Sequence, residues 1–404
     1  MRLSLLSEGF SSWGGGLDLL RFLATSIATL PPPPGSYRQL ILPRDDLLFQ
    51  ATRLASPLKR LFGMALAGKR PRWQPWQGFP EVYCRNAFAD LEKDFRIDFA
   101  GRLPGQQLAA ARRFDADIVL PLFNPPPKSW KKPWIGYLYD FQHRHFPDFF
   151  TPGARRARDR HFFEMLHRAE QVIVNARTVA EDAARFMGAF PARLHVLPFS
   201  PCPERGWLED DRDARPDYRI DKPFFMVCNQ FWKHKDHPTA FRGFARFLHQ
   251  GGEALLVCTG ATSDHRFPEY RSELQTLVDK LGIRDHLRIL GHIPKRTQIG
   301  LLKQALALIQ PTLFEGGPGG GGAFDAISLG IPVIVSDIPV NREMACGELS
   351  YFTPGDDEAL ARRLCDRGTG ATIAPDPLRL WEEGMVRKQR CGRTLLELAS
   401  GMLA

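Results

Sequence analysis

The chain has 404 residues, 44% of them apolar and 25% charged, with a formal net charge of +9. That length exceeds what one ordinary core supports and calls for two domains of roughly 150–200 residues. No apolar run approaches the ~20 residues that cross a bilayer, which excludes a helical membrane protein. In chain order, the first half predicts strands at Leu3–Leu6, Gln39–Leu42, Asp117–Leu122, Ile135–Tyr139, Gln171–Val174 and His195–Pro198. Helices are predicted over 17–28, 158–169 and 178–187, the prolines at 31–34 make a stiff turn, and 45–113 shows no clear period. Pro201 to Lys222, charged and proline-bearing, reads as a linker. Beyond it come a strand Phe224–Cys228, a helix from Pro238 to Gly251, and a strand Ala254–Cys258. A helix Glu269–Leu281 leads to a strand Leu287–Leu290 and a helix Thr297–Gln304. An apolar run Ala305–Leu313, a helix from Phe324 to Gly330 and a strand Pro332–Ser336 follow, and Trp381, Met385, Leu395, Leu396 and Leu398 mark an amphipathic ending. Apolar strands alternating with helices of this length mean parallel βαβ units, hence an α/β protein.

At the N-terminus, Glu8 and the glycines at 14–16 interrupt any signal-peptide core, so a cytoplasmic address is expected. The seven cysteines are scattered and show no zinc or redox spacing, so they are expected to be reduced core thiols. Between Arg53 and Arg72 the cations Lys59, Arg60, Lys69 and Arg70 alternate with Leu54, Leu58, Leu61, Phe62, Met64 and Leu66, and Trp73 and Trp76 follow. The segment 53–76 reads either as a basic surface helix packed on its own domain or as a surface that rests on an anionic membrane. No nucleic-acid motif accompanies it, and nucleic acid is not expected as a partner.

The most informative stretch runs from Phe314 to Asp325: Glu315, a run of glycine broken by Pro318, then Asp325. A strand, a glycine loop and a helix start make an anion pocket, because amides are unpaired there, the helix dipole is positive, and glycine admits close approach. Carboxylates beside such a pocket repel phosphate and suit hydroxyl groups. Phosphate together with hydroxyls suggests a nucleotide-sugar.

Several segments, read in order, resemble the GT-B retaining glycosyltransferases of glycosyltransferase family four, the group 1 glycosyl transferases. Tyr139-Asp140-Phe141-Gln142-His143-Arg144-His145-Phe146-Pro147 resembles the segment after an N-domain strand. Asn229-Gln230-Phe231-Trp232-Lys233-His234-Lys235-Asp236-His237 resembles the first C-domain loop. Ile309 to Gly316 and Gly330 to Pro339 flank the family's donor site, and Gly14-Gly15-Gly16 resembles its N-terminal glycine loop. The chain departs from the family pattern in three places. Nine residues rather than seven separate the acids Glu315 and Asp325, Asn229 and Gln230 stand where arginine is common, and Tyr139 stands where histidine is common.

The resemblance implies two Rossmann-like doubly wound domains facing across a cleft: 1–200 for the acceptor, 201–222 as linker, 223–372 for the donor, and 373–404 crossing back as a helix. It implies that Glu315 holds the donor sugar and that Asp325 holds the nucleotide ribose. Lys235, with Lys233 as second choice, would take the diphosphate together with the amides of Gly319, Gly320, Gly321 and Gly322, and with Gly15 and Gly16 opposite. His143, rather than His145, is the expected acceptor base, with Asp140 orienting it or the acceptor, since imidazole titrates near neutrality. Asp115-Ala116-Asp117 lies at a strand entrance, so no metal and no cofactor are expected. The expected activity is retaining, metal-independent transfer of a sugar from a nucleotide diphosphate to a saccharide or lipid-linked acceptor in cell-surface polysaccharide synthesis, at the inner face of the membrane. A nucleotide-sugar epimerase of the same fold and a non-catalytic nucleotide-sugar-binding protein remain as alternatives.

Overall fold

Two parallel sheets carry the chain, described here in a computed structural model that covers all residues except 13, 48, 52–54, 56–78, 369–375 and 404. The basic segment predicted over 53–76 lies, apart from Ala55, outside the described residues.

The first half alternates β1 (Arg2–Leu6), α1 (Gly14–Ala28), β2 (Tyr37–Pro43), α2 (Glu81–Phe88), β3 (Arg96–Ala100), α3 (Pro104–Arg113), β4 (Ile118–Leu122) and β5 (Trp134–Leu138). It continues with α4 (Gln142–His145), α5 (Pro152–Arg168), β6 (Gln171–Val174), α6 (Arg177–Met187) and β7 (Arg193–Val196). Its strands form one sheet in the order β3-β2-β1-β4-β5-β6-β7. After α7 (Arg205–Glu209), the second half runs β8 (Phe224–Cys228), α8 (His237–His249), β9 (Leu255–Thr259), α9 (Tyr270–Leu281), β10 (Leu287–Gly291), α10 (Lys295–Leu302) and β11 (Leu308–Gln310). It ends with α11 (Gly320–Ser328), β12 (Val333–Ser336), β13 (Leu349–Phe352), α12 (Asp357–Gly368) and α13 (Pro377–Gly401). Its sheet is ordered β10-β9-β8-β11-β12-β13. In each sheet the order reverses once, between β1 and β4 and between β8 and β11, and such a reversal opens a crevice at the carboxyl ends of the strands.

Alternate residues of each central strand serve opposite faces. Leu256, Ile309 and Ile334 join one core of the second domain, while Met226, Leu308 and Val333 join the other. The stretch 201–222 does more than link, because Ala214 and Ile220 are buried in that second core with Trp207 and Leu208 packed beside them.

Several expectations need correcting. The run Ala305–Leu313 yields only Leu308–Gln310 as strand, since Pro311 has no N–H for the ladder. The region 45–113 contains β3, an edge strand whose polar Arg96 and Asp98 hide its pattern. β13 and α12 were not foreseen. Both glycine runs open helices instead of lying in loops: Gly14 begins α1 and Gly320 begins α11.

The last helix, α13, packs on α1 of the first domain, where Cys391, Leu395 and Ala399 share a core with Leu20, Leu23 and Ile27. A Cβ added at Gly392 would stand 2.2 Å from the Ser26 carbonyl oxygen. Alanine favours a helix over glycine by ~1 kcal/mol, but forcing backbones apart costs ~1–3 kcal/mol. Gly392→Ala should therefore lower the thermal midpoint; an unchanged or raised melt would mean that the two helices separate without cost.

Candidate functional site

The crevice of the second sheet holds a continuous side-chain network. Asn229, one residue past β8, donates from Nδ2 to Gln310 Oε1 at 2.8 Å, and Gln310 at the end of β11 donates from Nε2 to Glu315 Oε1 at 2.9 Å. Lys235 Nζ reaches the same Glu315 oxygen at 2.5 Å, with both side chains largely buried. Two donors therefore fix one oxygen of Glu315 and leave the other for a ligand. The loop is pinned from below, because the His234 carbonyl accepts from the Leu313 amide and the Thr312 hydroxyl. Burial drives the His234 pKa down to about 2, so its ring is a neutral structural part. Lys233 points elsewhere, with its ammonium 4.7 Å from the centre of the Phe267 ring.

The glycines are there for geometry. Gly319 and Gly320 have φ of +66° and +64°, which side-chain-bearing residues rarely adopt. A Cβ at Gly320 would press against Glu315 Oε2 at 3.0 Å, so the amino end of α11 abuts the carboxylate directly. Not every glycine amide is available to a ligand: that of Gly319 already donates to Asn341 Oδ1 at 3.0 Å. Gly322 packs on Cys228, whereas Gly321 faces open space within the first turn, where a helix cannot satisfy its own amides.

Across the cleft, the first domain approaches the loop after Glu315. A Cβ at Gly316 would lie 3.0 Å from the Asp140 Cβ, and one at Gly317 would lie 3.2 Å from that of Asn175. Asp140 Oδ1 accepts from the Gln142 amide at 2.9 Å and from Arg158 at 3.4 Å. Asp140 and Glu315 are thus brought together from opposite domains.

His143 is not presented to the cleft. It is fully buried beside Phe141, Phe150 and Phe162, and its Nε2 is 2.8 Å from Asp159. Burial lowers its pKa below the ordinary imidazole value, against the pull of Asp159. The sequence carried no signal for those rings, which reach it from α5 and the loop before it. His145 instead touches the second domain, 5.4 Å from the Phe314 ring, with its Nε2 held by Asp182 at 2.6 Å.

Asp325 is buried on α11 and accepts a hydrogen bond from Lys295 at the start of α10. Asp18 on α1 acts electrostatically on both. Gly15 and Gly16 lie in the first turn of α1, ahead of Asp18.

Residues 210–366 match the family described as Glycosyl transferases group 1. The match covers less than half of the chain and lies almost wholly in the second domain. Over 136 residues it is 26% identical to the O-antigen chain mannosyltransferase RfbU of Salmonella typhimurium, an alignment spanning 34% of this chain and 36% of that protein. Over the whole length the fold is GT-B. It superposes on the sucrose-phosphate synthase of Thermosynechococcus elongatus with a TM-score of 0.61 at 16% identity, covering 100% of this chain and 99% of that one. It superposes on Anabaena HepE in complex with UDP and glucose with a TM-score of 0.58 at 13% identity, covering 99% and 100%. For WaaG, a glycosyltransferase involved in lipopolysaccharide biosynthesis, the values are 0.55 at 15% identity, covering 98% and 95%.

In the first domain, the crevice of the sheet holds a residue that sequence reasoning missed. Glu8, just past β1, is buried and accepts from both the backbone amide and the side-chain amide of Asn124, just past β4. Burial pushes its pKa up to about 7 from 4.5, the Asn124 bonds pulling the other way. Its only sequence signal was an acid at the end of an apolar strand. Because the folded state holds this proton more tightly than the unfolded chain, ionisation destabilises the fold. The cost is absent below pH ~4.5, grows as pH rises and is complete above ~7, at roughly 3 kcal/mol. Glu8→Gln should melt higher than the parent at pH ~8 and converge with it near pH ~4.5. Parallel melting curves at both pH values would show that Glu8 is ordinary.

Proposed function

We propose that the chain is a retaining, metal-independent glycosyltransferase that moves a sugar from a nucleotide diphosphate to a saccharide or lipid-linked acceptor in the synthesis of a cell-surface polysaccharide. The observation that carries this reading is Glu315, held by Lys235 and Gln310 against the amino end of α11 and faced by Asp140 of the other domain. In the free protein the ammonium of Lys235 rests on Glu315. When the donor enters, its diphosphate competes for that ammonium and for the first-turn amides around Gly321, and the carboxylate is released to accept hydroxyls of the sugar. The negative charge that grows on the leaving diphosphate is met by a fixed cation and a helix dipole, contacts worth ~3–4 kcal/mol each in the transition state. Asp325 is assigned the ribose hydroxyls, and Asp140 the orientation of the acceptor hydroxyl. His143 has no part in this scheme.

A UDP-sugar is the first donor to test, since HepE is a neighbour described with UDP and glucose, and a mannose donor is the second, given the name of the curated relative. Attachment of the saccharide to a lipid carrier fits the WaaG likeness and the basic segment 53–76. Among the described residues no helix is long and apolar enough to cross a membrane, so we assign the chain to the cytoplasmic face through peripheral contact alone.

Glu315→Gln should lower transfer by ~10²–10³-fold, the cost of one transition-state contact, with little change in melting. Release of nucleoside diphosphate that needs no acceptor, or near-normal turnover, would remove Glu315 from the chemistry. Lys235→Ala should weaken nucleoside diphosphate binding by ~100-fold, measured by calorimetry. A chelator in the assay should leave the rate unchanged; a rate abolished by chelator and restored by a divalent cation would overturn metal independence.

A further inference from the structure

Lys295 lies at the Asp325 end of the cleft. Its side chain keeps 46% of its surface accessible while its ammonium bonds the buried Asp325 carboxylate. A second carboxylate, Asp18 on α1, acts on the same ammonium from the first domain. Around them stand the Cys228 thiol, the half-exposed Tyr83 of α2, the Trp207 ring 5.5 Å from the ammonium, and Glu204, which Arg21 holds at 3.1 Å. Burial pushes the Cys228 pKa up to about 12, so it brings no charge. Glu204 shares Arg21 with Asp90, which the same guanidinium bonds with two nitrogens. Lys295 then serves two anions, and the surplus negative charge repels a phosphate from this end of the site. The group that fits must be a neutral hydrogen-bond donor, and two adjacent hydroxyls match a carboxylate with one oxygen already fixed.

Resting on the reading of Asp325 as the ribose acceptor, we propose that Lys295 is the positioning residue of the donor's nucleoside end. It holds Asp325 as an anion in one orientation for the ribose hydroxyls. The directions of the electrostatic effects agree: Lys295 pulls the Asp325 pKa down while burial, Asp18 and Glu204 push it up, burial being the largest and leaving it raised. Below the raised value Asp325 is protonated and accepts less well, so affinity should fall with falling pH.

The test is calorimetric titration of UDP, ADP and GDP, each beside its 2′,3′-dideoxy analogue, into the full chain and its variants across pH ~5 to ~9. Lys295→Met should weaken the ribose-bearing nucleotide by about tenfold or more, the loss expected for a charge-assisted contact, and leave the dideoxy analogue within about twofold. It should also move the midpoint of the pH dependence upward. Asp18→Asn should move it downward, and Lys295→Arg should keep it near the parent value. Opposite shifts from two neighbours are a readout that loose packing would not give, and equal melting temperatures would exclude misfolding. Equal loss for both nucleotides, or no loss, overturns the inference while leaving the proposed function standing. A parent chain that binds none of the nucleoside diphosphates overturns the proposed function itself.

Discussion

Everything in the cleft depends on two parallel sheets reversing their strand order once each, with the two reversals turned toward one another. A parallel sheet leaves every strand pointing the same way, so all loops at its carboxyl edge share one side. At the reversal the connecting helices part to opposite faces and leave a crevice. In the first domain that crevice lies between β1 and β4 and receives Glu8 and Asn124. In the second it lies between β8 and β11 and receives Asn229, Gln310, Lys235 and Glu315. No local propensity creates these sets; strand order does.

The domains are held closely enough for their loops to touch. Glu343 of the second domain caps α6 of the first, accepting from the Arg177 amide at 2.6 Å and the Thr178 amide at 2.8 Å, where the helix dipole favours an anion. Arg266 reaches Gln142 across the cleft at 3.0 Å, and Phe324 meets Phe22 and Phe199 edge to face. Glycine at 316 and 317 is what allows the donor-side loop to lie against Asp140 and Asn175. The same economy of side chains brings a carboxylate from each domain within reach of one ligand.

Charge in the cleft is arranged in pairs that a ligand can exchange. Lys235 rests on Glu315 and Lys295 on Asp325, each acid set on or beside α11 with its own side chain largely buried. A site already filled by its own hydrogen-bond partners keeps its carboxylates oriented in the free protein. Such preorganisation spares the ligand the cost of ordering them.

The fold class and most of the second domain were legible in the sequence, because continuous apolar strands and glycine-bounded helices leave a local signature. Glu315 and Lys235 stood out in the short segments that carry them, but their contact with each other did not. Segments dominated by neighbours gave no such signature. The edge strand β3 is too polar, β11 is cut short by Pro311, and α1 and α11 begin within glycine runs that read as loops. His143 looked available because imidazole, aspartate and a strand end stand together in the sequence, but three aromatic rings and Asp159 enclose it. Glu8, Gln310 and Lys295 were invisible because their partners lie on other strands or the other domain. The sequence by itself determined which elements form and which chemical groups sit at their ends, since those follow from period and composition. Only the tertiary structure decided which of those groups meet, since burial and partners are set by sheet order and domain contact.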